Sequence, residues 1–566
     1  MLRSALLVLV LSAGLVACGA PSSLGGFPAP TDAALAAIDS LGLRSVTAEL
    51  SSDGFEGRGT GTAGEEKTVA LVIDRLRALG VEGGMPDGSF RQAVPLRSVR
   101  LAELTRSVSF VPERSMPGKP RLGVLPAFGD EIIVSTVSTQ EAVDLNDVPL
   151  VFVGYGITNP GYDWDDYKGA DVRGKVIVSF VNDPPATPAE PDLFQADTLT
   201  YNGRWTYKYE EARRQGARGM LLIHTDETAG YPFTVLNGDA FGEHYTGVDA
   251  PDGALDVRGW MAESVARRLA ELSGSSLDDW FSMAARRDFQ PVELPLTVSG
   301  GFRFEQREGV VGTNVVGVIR GSEAPGEAVV YGAHHDHLGI DREAIARGED
   351  GIYNGAIDNA TGVAMMLELA EAFAALPEPP RRSVYFVTFS AEESGLLGSA
   401  YFADNPPVPL SQMVANVNVD SGNLGGRTRD IVGIGAERSD LLGLLREAAA
   451  AEGMTVSPDA APNQGIFYRS DQLAFARGGV PAVFLNTGTQ FVGQPADYAA
   501  RLRAAYIADK YHKPGDEFDP AAPYGGLVQQ TRVAFRLGYA LAASDLSPEW
   551  RPSEAFAETR RLSRER

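Results

Sequence analysis

A single cysteine, Cys18, stands among 566 residues, so no intrachain disulfide can brace the fold. Basic residues are in deficit: 50 Lys and Arg face 74 Asp and Glu, for a formal net charge of −24. That excludes the basic face on which nucleic-acid binding depends. An acidic surface is first a solubility feature, though it also suits cationic ligands such as a peptide amino terminus. After the opening stretch no long apolar run occurs, so nothing else reads as a membrane-spanning helix. Internal repeats are absent. The Gly-rich loop Phe55–Gly64 lacks the Lys-Ser/Thr of a phosphate cradle, because Glu65-Glu66 follow it. Histidine is scarce too: the chain has six, and four of them fall at positions 334, 335, 337 and 512.

What is present fits a soluble chain of more than one folded unit, since 566 residues exceed one ordinary core. Arg3 and the apolar residues 5–16 form a leader too short to cross a bilayer as a helix. Its end, Leu15-Val16-Ala17-Cys18-Gly19, resembles the lipobox of bacterial lipoproteins. The resemblance implies a signal peptide at 1–17, a lipid on Cys18, and an extracytoplasmic protein anchored to the bacterial cell envelope (periplasm, outer membrane or cell surface). An ordinary signal peptide is the other reading, and it too takes the protein out of the cytoplasm. Residues 18–30, rich in Gly, Pro, Ser and Ala, read as a tether.

Residues 31–80 read as two helices around a loop. Thr31-Asp32 caps the first, and Val69, Val72, Ile73, Leu76 and Leu79 line the second before Gly80. From about 100 to 300 short strands and turns dominate, among them 149–153, 174–181 and 220–223, with a helix around Lys208. The motif Asp166–Val176 resembles a protease-associated domain, a β-rich module inserted into secreted peptidases. His224 and His244 fall here without partner spacing and read as ordinary histidines. From 300 onward apolar strands at 328–333, 384–390, 414–420 and 482–486 alternate with helices near 361–376, 439–452 and 526–543. Runs with so little alternation suit an α/β sheet covered on both faces by helices. The expected division is 31–120 as the start of the main domain, 121–295 as the insertion, 296–545 as the catalytic part, and 546–566 as a polar surface tail.

Four motifs in the last segment follow apolar runs: Ala333-His334-His335-Asp336-His337, Gly355-Ala356-Ile357-Asp358-Asn359, Ala391-Glu392-Glu393 and Asn418-Val419-Asp420. Tyr511-His512 comes far downstream. Open α/β sheets bind ligands beyond the carboxyl ends of their strands, and three of these motifs put imidazole or carboxylate there. Those donors suit zinc and related divalent metals without any thiolate. In the pair Glu392-Glu393 one acid can ligate while the other takes a proton from water. Singly, each has a bland reading: an acidic helix start, a strand-end turn, a structural histidine. Asn359-Ala360-Thr361 also matches a glycosylation sequon, read as chance. It is the set, in order and at strand ends, that points to a site.

Segments 31–100 and 300–545 resemble peptidase family M28, the dinuclear zinc peptidases, and Phe55-Glu56-Gly57-Arg58 resembles the amino-terminal signature of its bacterial members. The resemblance implies a doubly wound α/β fold and two Zn2+ per chain. His334 and Asp420 would hold one ion, Glu393 and His512 the other, and Asp358 would bridge. Asp336 would orient the His334 imidazole, and Glu392 would be the general base. The family often has two acids in a row where this chain has Ile357-Asp358. His335 and His337 are read as neighbours or substrate-side residues rather than ligands. Ser470-Asp471, Phe467-Tyr468 and Asn486–Gly488 resemble the family's substrate-facing edge. The implied activity is hydrolysis of extracytoplasmic peptides, foremost by an aminopeptidase. Carboxypeptidase or dipeptidase action, glutaminyl cyclase chemistry and a non-catalytic peptide-binding relative are the alternatives. No arginine cluster for a substrate carboxylate stands out in the sequence, and oligomeric state is not legible.

Overall fold

The computed structural model describes residues 28–565 except 103–106, 114–121, 230, 237–243 and 250. The leader, Cys18 and most of the tether therefore lie outside the described residues. Among the described residues no helix is long and apolar enough to cross a membrane.

The fold is α/β and built on a large mixed sheet. In its carboxyl-terminal part the strands run in the order Thr455–Ser457, Asp430–Ile434, Ala482–Thr487, Met413–Asn418, Ala324–His334, Arg382–Phe389 and Val292–Ile319. The central pairings are parallel: Ala324–His334 lies between Arg382–Phe389 and Met413–Asn418. Every residue of Arg382–Phe389 is buried, as a strand covered on both faces requires. Helices Ser40–Leu50, Thr361–Ala374 and Gly525–Ala542 supply one layer, packing Met366, Phe373, Leu527 and Phe535 onto Val329, Tyr331 and Phe386. On the opposite face Phe402 and Phe475, from helices Leu397–Asp404 and Gln472–Arg477, meet Val330, Tyr385 and Val387.

The 28-residue strand Val292–Ile319 joins this part to the β-rich region. Its second half pairs with Arg91–Leu101 and Arg382–Phe389, and its first half with Ser109–Pro112 and Ala142–Phe152. Beyond Ala142–Phe152 the order continues through parallel strands Val176–Phe180, Gly219–His224 and Val257–Ala262 to antiparallel Ile132–Ser135. This region has its own core around Phe152, Phe180, Trp280 and Phe289.

Two sequence expectations change. The first helix of residues 31–80 is two helices, Asp32–Ala37 and Ser40–Leu50, because the Asp39 carboxylate accepts the N–H groups of Leu41 and Gly42 and starts the second. The stretch expected as a polar surface tail is anchored over its described residues 546–565: Trp550, Phe556 and Arg560 are buried, and Ala557–Glu565 is helical. The spacing of two aromatics and one arginine among charged residues was too sparse to register as a packing face.

Candidate functional site

Register brings the site together. His334 is the last residue of its strand and lies opposite Phe389, while Gly332 lies opposite Asn418, so three parallel strands end along one edge. Past these ends come Glu392-Glu393 and Asp420. Ala391 turns the chain with φ 54°, in the left-handed region, immediately before Glu392. Asp358 arrives from the loop that opens helix Thr361–Ala374, and His512 from the loop after helix Tyr498–Asp509.

The five side chains form two lobes about Asp358. His334 Nε2 is 3.2 Å from Asp358 Oδ1 and 3.4 Å from Asp420 Oδ1. His512 Nε2 is 3.6 Å from Asp358 Oδ2 and 3.1 Å from Glu393 Oε2. A tetrahedral ion with bonds of about 2.1 Å sets its ligand atoms about 3.4 Å apart. Each lobe matches that spacing, and each offers one imidazole nitrogen and two carboxylate oxygens, the donors zinc accepts. Ligand atoms of His334, Asp358 and Glu393 also lie within 4.8 Å of one another, as a single shared centre requires. The residues present fit a zinc site.

The groups behind these donors differ in part from the sequence reading. The His334 Nδ1 atom lies 3.2 Å from the backbone carbonyl of Asp336, whereas the Asp336 carboxylate is 3.8 Å away. It is the carbonyl that orients the imidazole. The Asp336 carboxylate instead accepts the backbone N–H groups of Glu392 at 3.1 Å and Glu393 at 3.4 Å, and the Thr60 hydroxyl at 3.3 Å. It therefore positions the paired acids. His337 is buried with Nδ1 2.6 Å from Glu393 Oε1, steering the other oxygen toward His512. His335 is buried against Thr388 at 3.0 Å. Both histidines are thus neighbours of the clustered acids and imidazoles. His224 packs against Tyr231 and Phe233, and His244 pairs with Val99 within the β-rich region.

Three further residues escaped the sequence reading. Fully buried Arg58 donates to the carbonyls of Leu50, His335, Asn354, Gly355 and Asp358. Buried Asp516 accepts the N–H groups of Ile357 and Asp358, both at 3.0 Å, which fixes the Asp358 loop to the His512 loop. Asn359 binds the carbonyls of His334 and Val419. Only proximity to the motifs hinted at them: Arg58 in the Gly-rich loop, Asp516 after Pro514-Gly515, Asn359 beside Asp358.

The site pushes its neighbouring acids apart electrostatically. Burial raises the Glu392 carboxyl well above the usual carboxylate range; His334 opposes this, and Asp420 and Glu393 add to it. Burial would raise Glu393 as well, but His512 and His337 outweigh it and hold that carboxylate well below its usual range. Burial and the surrounding charges thus pull the proton affinities of these two neighbouring acids in opposite directions.

Comparison with known proteins agrees with this geometry. A 252-residue stretch is 26% identical to Aminopeptidase NAALADL1 of Mus musculus, covering 40% of this chain and 30% of that protein. Another of 244 residues is 29% identical to Probable glutamate carboxypeptidase LAMP1 of Arabidopsis thaliana, covering 42% of this chain and 32% of that one. The matched region thus spans about a third of the length of these curated relatives. In fold, the chain is similar to the solved Aminopeptidase from Aneurinibacillus sp. strain AM-1, with TM-score 0.51 at 17% identity, over 92% of this chain and 98% of that one. Residues 314–534, which carry His334, Asp358, Glu392, Glu393, Asp420 and His512, match Peptidase family M28.

Proposed function

We propose that this chain is a two-zinc metallopeptidase, acting as an aminopeptidase on peptides outside the cytoplasm and held to the cell envelope by a lipid on Cys18. The observation that carries the catalytic reading is Asp358, whose two oxygens face two different histidines, His334 and His512. One zinc would be held by His334, Asp358 and Asp420, the other by Asp358, Glu393 and His512. Bound zinc would supply Lewis-acid polarisation of the peptide carbonyl and would lower the pKa of the attacking water. Glu392 takes that water's proton and later returns it to the leaving amine. Its raised affinity for a proton, a consequence of burial, favours the uptake half of the transfer. Asp336 holds the Glu392 backbone in place, and His337 keeps Glu393 turned to its ligating position. The choice of aminopeptidase follows the names of the Mus musculus relative and of the solved structure similar in fold. The envelope anchor rests on the Leu15–Gly19 pattern alone.

The test is hydrolysis of aminoacyl-nitroanilides and amino-blocked peptides by wild-type and Glu392→Gln protein, with zinc counted in both. The expected result is two zinc ions per chain in each protein, cleavage of free-amine substrates only, and a loss of roughly 10²–10⁴-fold in kcat for the variant. Retained activity in Glu392→Gln would remove the general base from this mechanism. Cleavage of blocked peptides from the carboxyl end would overturn the aminopeptidase assignment.

A further inference from the structure

Gly525, Val528, Gln529 and Arg532 stand at i, i+3, i+4 and i+7 of helix Gly525–Ala542, and the face they share lines a cleft of about 490 Å³. Helix Ser40–Leu50 adds Arg44 to the lining, with Asp39 at its cap, and the loop after Asp420 adds Arg427. Among the described residues that line it, none is a proposed metal ligand. Its three arginines are placed by different means. Arg44 donates to the carbonyls of Pro520 at 2.5 Å and Ala522 at 2.9 Å, with its guanidinium 4.4 Å from the Tyr524 ring centre. Arg532 donates to the Ile38 carbonyl at 3.4 Å, and its Nε–H is buried without a hydrogen-bond partner. Arg427 is exposed, and its stem lies along the helix start: a Cβ on Gly525 would stand 3.2 Å from Arg427 Cγ.

Two acids share the lining, and both are engaged elsewhere. Asp39 Oδ1 accepts the N–H groups of Leu41 at 2.7 Å and Gly42 at 2.9 Å, and Glu452 pairs with Arg536 at 2.6 Å. Among the described residues, none of Arg44, Arg427 and Arg532 has a carboxylate within 4.0 Å. Arg382 and Arg438, by contrast, each have one, at 2.6 and 3.0 Å. The cleft is therefore a local cationic spot on a chain of net charge −24, and a cleft lined by one sign of charge concentrates the opposite ion. Its spare donors lie on two guanidinium planes, those of Arg427 and Arg532, with the Arg44 charge beside them. A planar carboxylate fills one fork, whereas a phosphate presents oxygens to several donors at once and carries up to two charges. The volume also admits a body of glycerol or sugar size attached to that phosphate.

We propose that the cleft between Arg44, Arg427 and Arg532 is a binding site for a phosphate group, carried either by a small phosphomonoester or by an anionic lipid headgroup. Ala36, also in the lining, follows Cys18 by eighteen residues, so a lipid on that cysteine would keep the cleft within reach of headgroup phosphates. The phosphate chemistry itself depends neither on that anchor nor on the peptidase reading.

Two measurements on the zinc-loaded full chain test it, each comparing wild type with Arg427→Gln and Arg532→Gln. The first is calorimetric titration with inorganic phosphate and with glycerol 3-phosphate. Phosphate bound at the metal centre is common to all three proteins, so the difference between them reports the cleft. The second is sedimentation with phosphatidylcholine vesicles, with and without phosphatidylglycerol, using Cys18→Ser chains so that no lipid anchor contributes. Wild type is expected to bind in at least one of the two, and each variant to bind about tenfold more weakly or worse, the ordinary worth of a charge-assisted hydrogen bond. Arg427→Lys should keep part of the affinity, and Arg561→Gln, on the exposed carboxyl-terminal helix, all of it. A variant-sensitive step with the soluble ligands alone assigns a free phosphomonoester. Variant-sensitive capture by phosphatidylglycerol vesicles alone assigns a lipid headgroup, and both together assign the phosphate group as the recognised element. Identical titrations and identical sedimentation for wild type and both variants overturn the site and leave the peptidase reading untouched. Should Arg532→Gln fail to fold, the exposed Arg427 decides alone.

Discussion

Asn359 concentrates at one residue what holds the site in shape. Its amide is buried and fully used: Nδ2 donates to the carbonyls of His334 at 3.2 Å and Val419 at 3.3 Å, and Oδ1 accepts the N–H groups of Gly362 and Ser421, both at 2.9 Å. One side chain thereby ties the strand end carrying His334, the loop carrying Asp420 and the start of helix Thr361–Ala374. Asn359→Ala strands two carbonyls and two N–H groups in a dry interior, where each orphan costs about 1–3 kcal/mol before relaxation. The expected loss of stability is on the order of 3 kcal/mol by denaturant titration, with weaker zinc retention during dialysis against a chelator. An unchanged unfolding midpoint would show that water replaces these bonds. In the sequence Asn359 reads only as the neighbour of Asp358 in its motif and as part of a chance sequon. The residues proposed to hold metal stand out in the sequence because imidazole and carboxylate at strand ends form a pattern. Arg58 and Asn359 were not, since their partners are backbone carbonyls, a group every residue has.

Elements were legible in proportion to how local their signal is. Helix Thr361–Ala374 and strand Arg382–Phe389 fall within two residues of their expected bounds because continuous apolar runs mark them. Strand Val292–Ile319 did not stand out: its burial alternates only in short stretches before the continuously buried residues 314–318, Gly300, Gly301, Gly309 and Gly312 interrupt it, and its pairing with Arg91–Leu101 shifts register between Arg307 and Val310. The helix Thr361–Ala374 also contains one acid against its apolar grain. Glu368 is 4% exposed, and its carboxylate accepts the Asp39 N–H at 3.0 Å, joining this helix to the start of Ser40–Leu50. Burial pushes its pKa from 4.5 up to about 7. A carboxyl raised on folding gives stability that is complete below its unfolded pKa and is lost as pH climbs through about 7. Glu368→Gln keeps an acceptor for Asp39 and removes the charge. At pH 8 the variant should be more stable than wild type by up to roughly 3 kcal/mol, with the gap closing toward pH 5. Thermal unfolding at the two pH values decides it, and a gap independent of pH would show that Glu368 titrates normally.

At the scale of the whole molecule, the carboxyl-terminal segment shows why a site at one sheet edge can tolerate damage elsewhere. Trp550 is buried among Phe467 and Phe556, and its indole N–H donates to the Gly479 carbonyl at 2.8 Å. Arg560, also buried, donates to the carbonyls of Leu410 at 3.2 Å and Met413 at 2.9 Å, while Glu554 pairs with Arg438 at 3.0 Å. Met413 begins the strand whose far end leads to Asp420, so this clasp grips the sheet at the edge away from the metal ligands. Trp550→Ala removes a large buried ring and should cost about 3–5 kcal/mol, read as a lower thermal midpoint. Zinc content of the folded variant should stay at the wild-type value, since the Trp550 ring packs on Phe467 and Phe556 rather than on the proposed metal ligands. Added zinc should raise the midpoint of variant and wild type alike, because binding to the folded state alone stabilises it by mass action. If Trp550→Ala loses zinc while keeping its midpoint, the clasp supports the site directly rather than the sheet. If both fall together in the folded state, sheet and site are one cooperative unit, and strain at either end of Met413–Asn418 reaches Asp420.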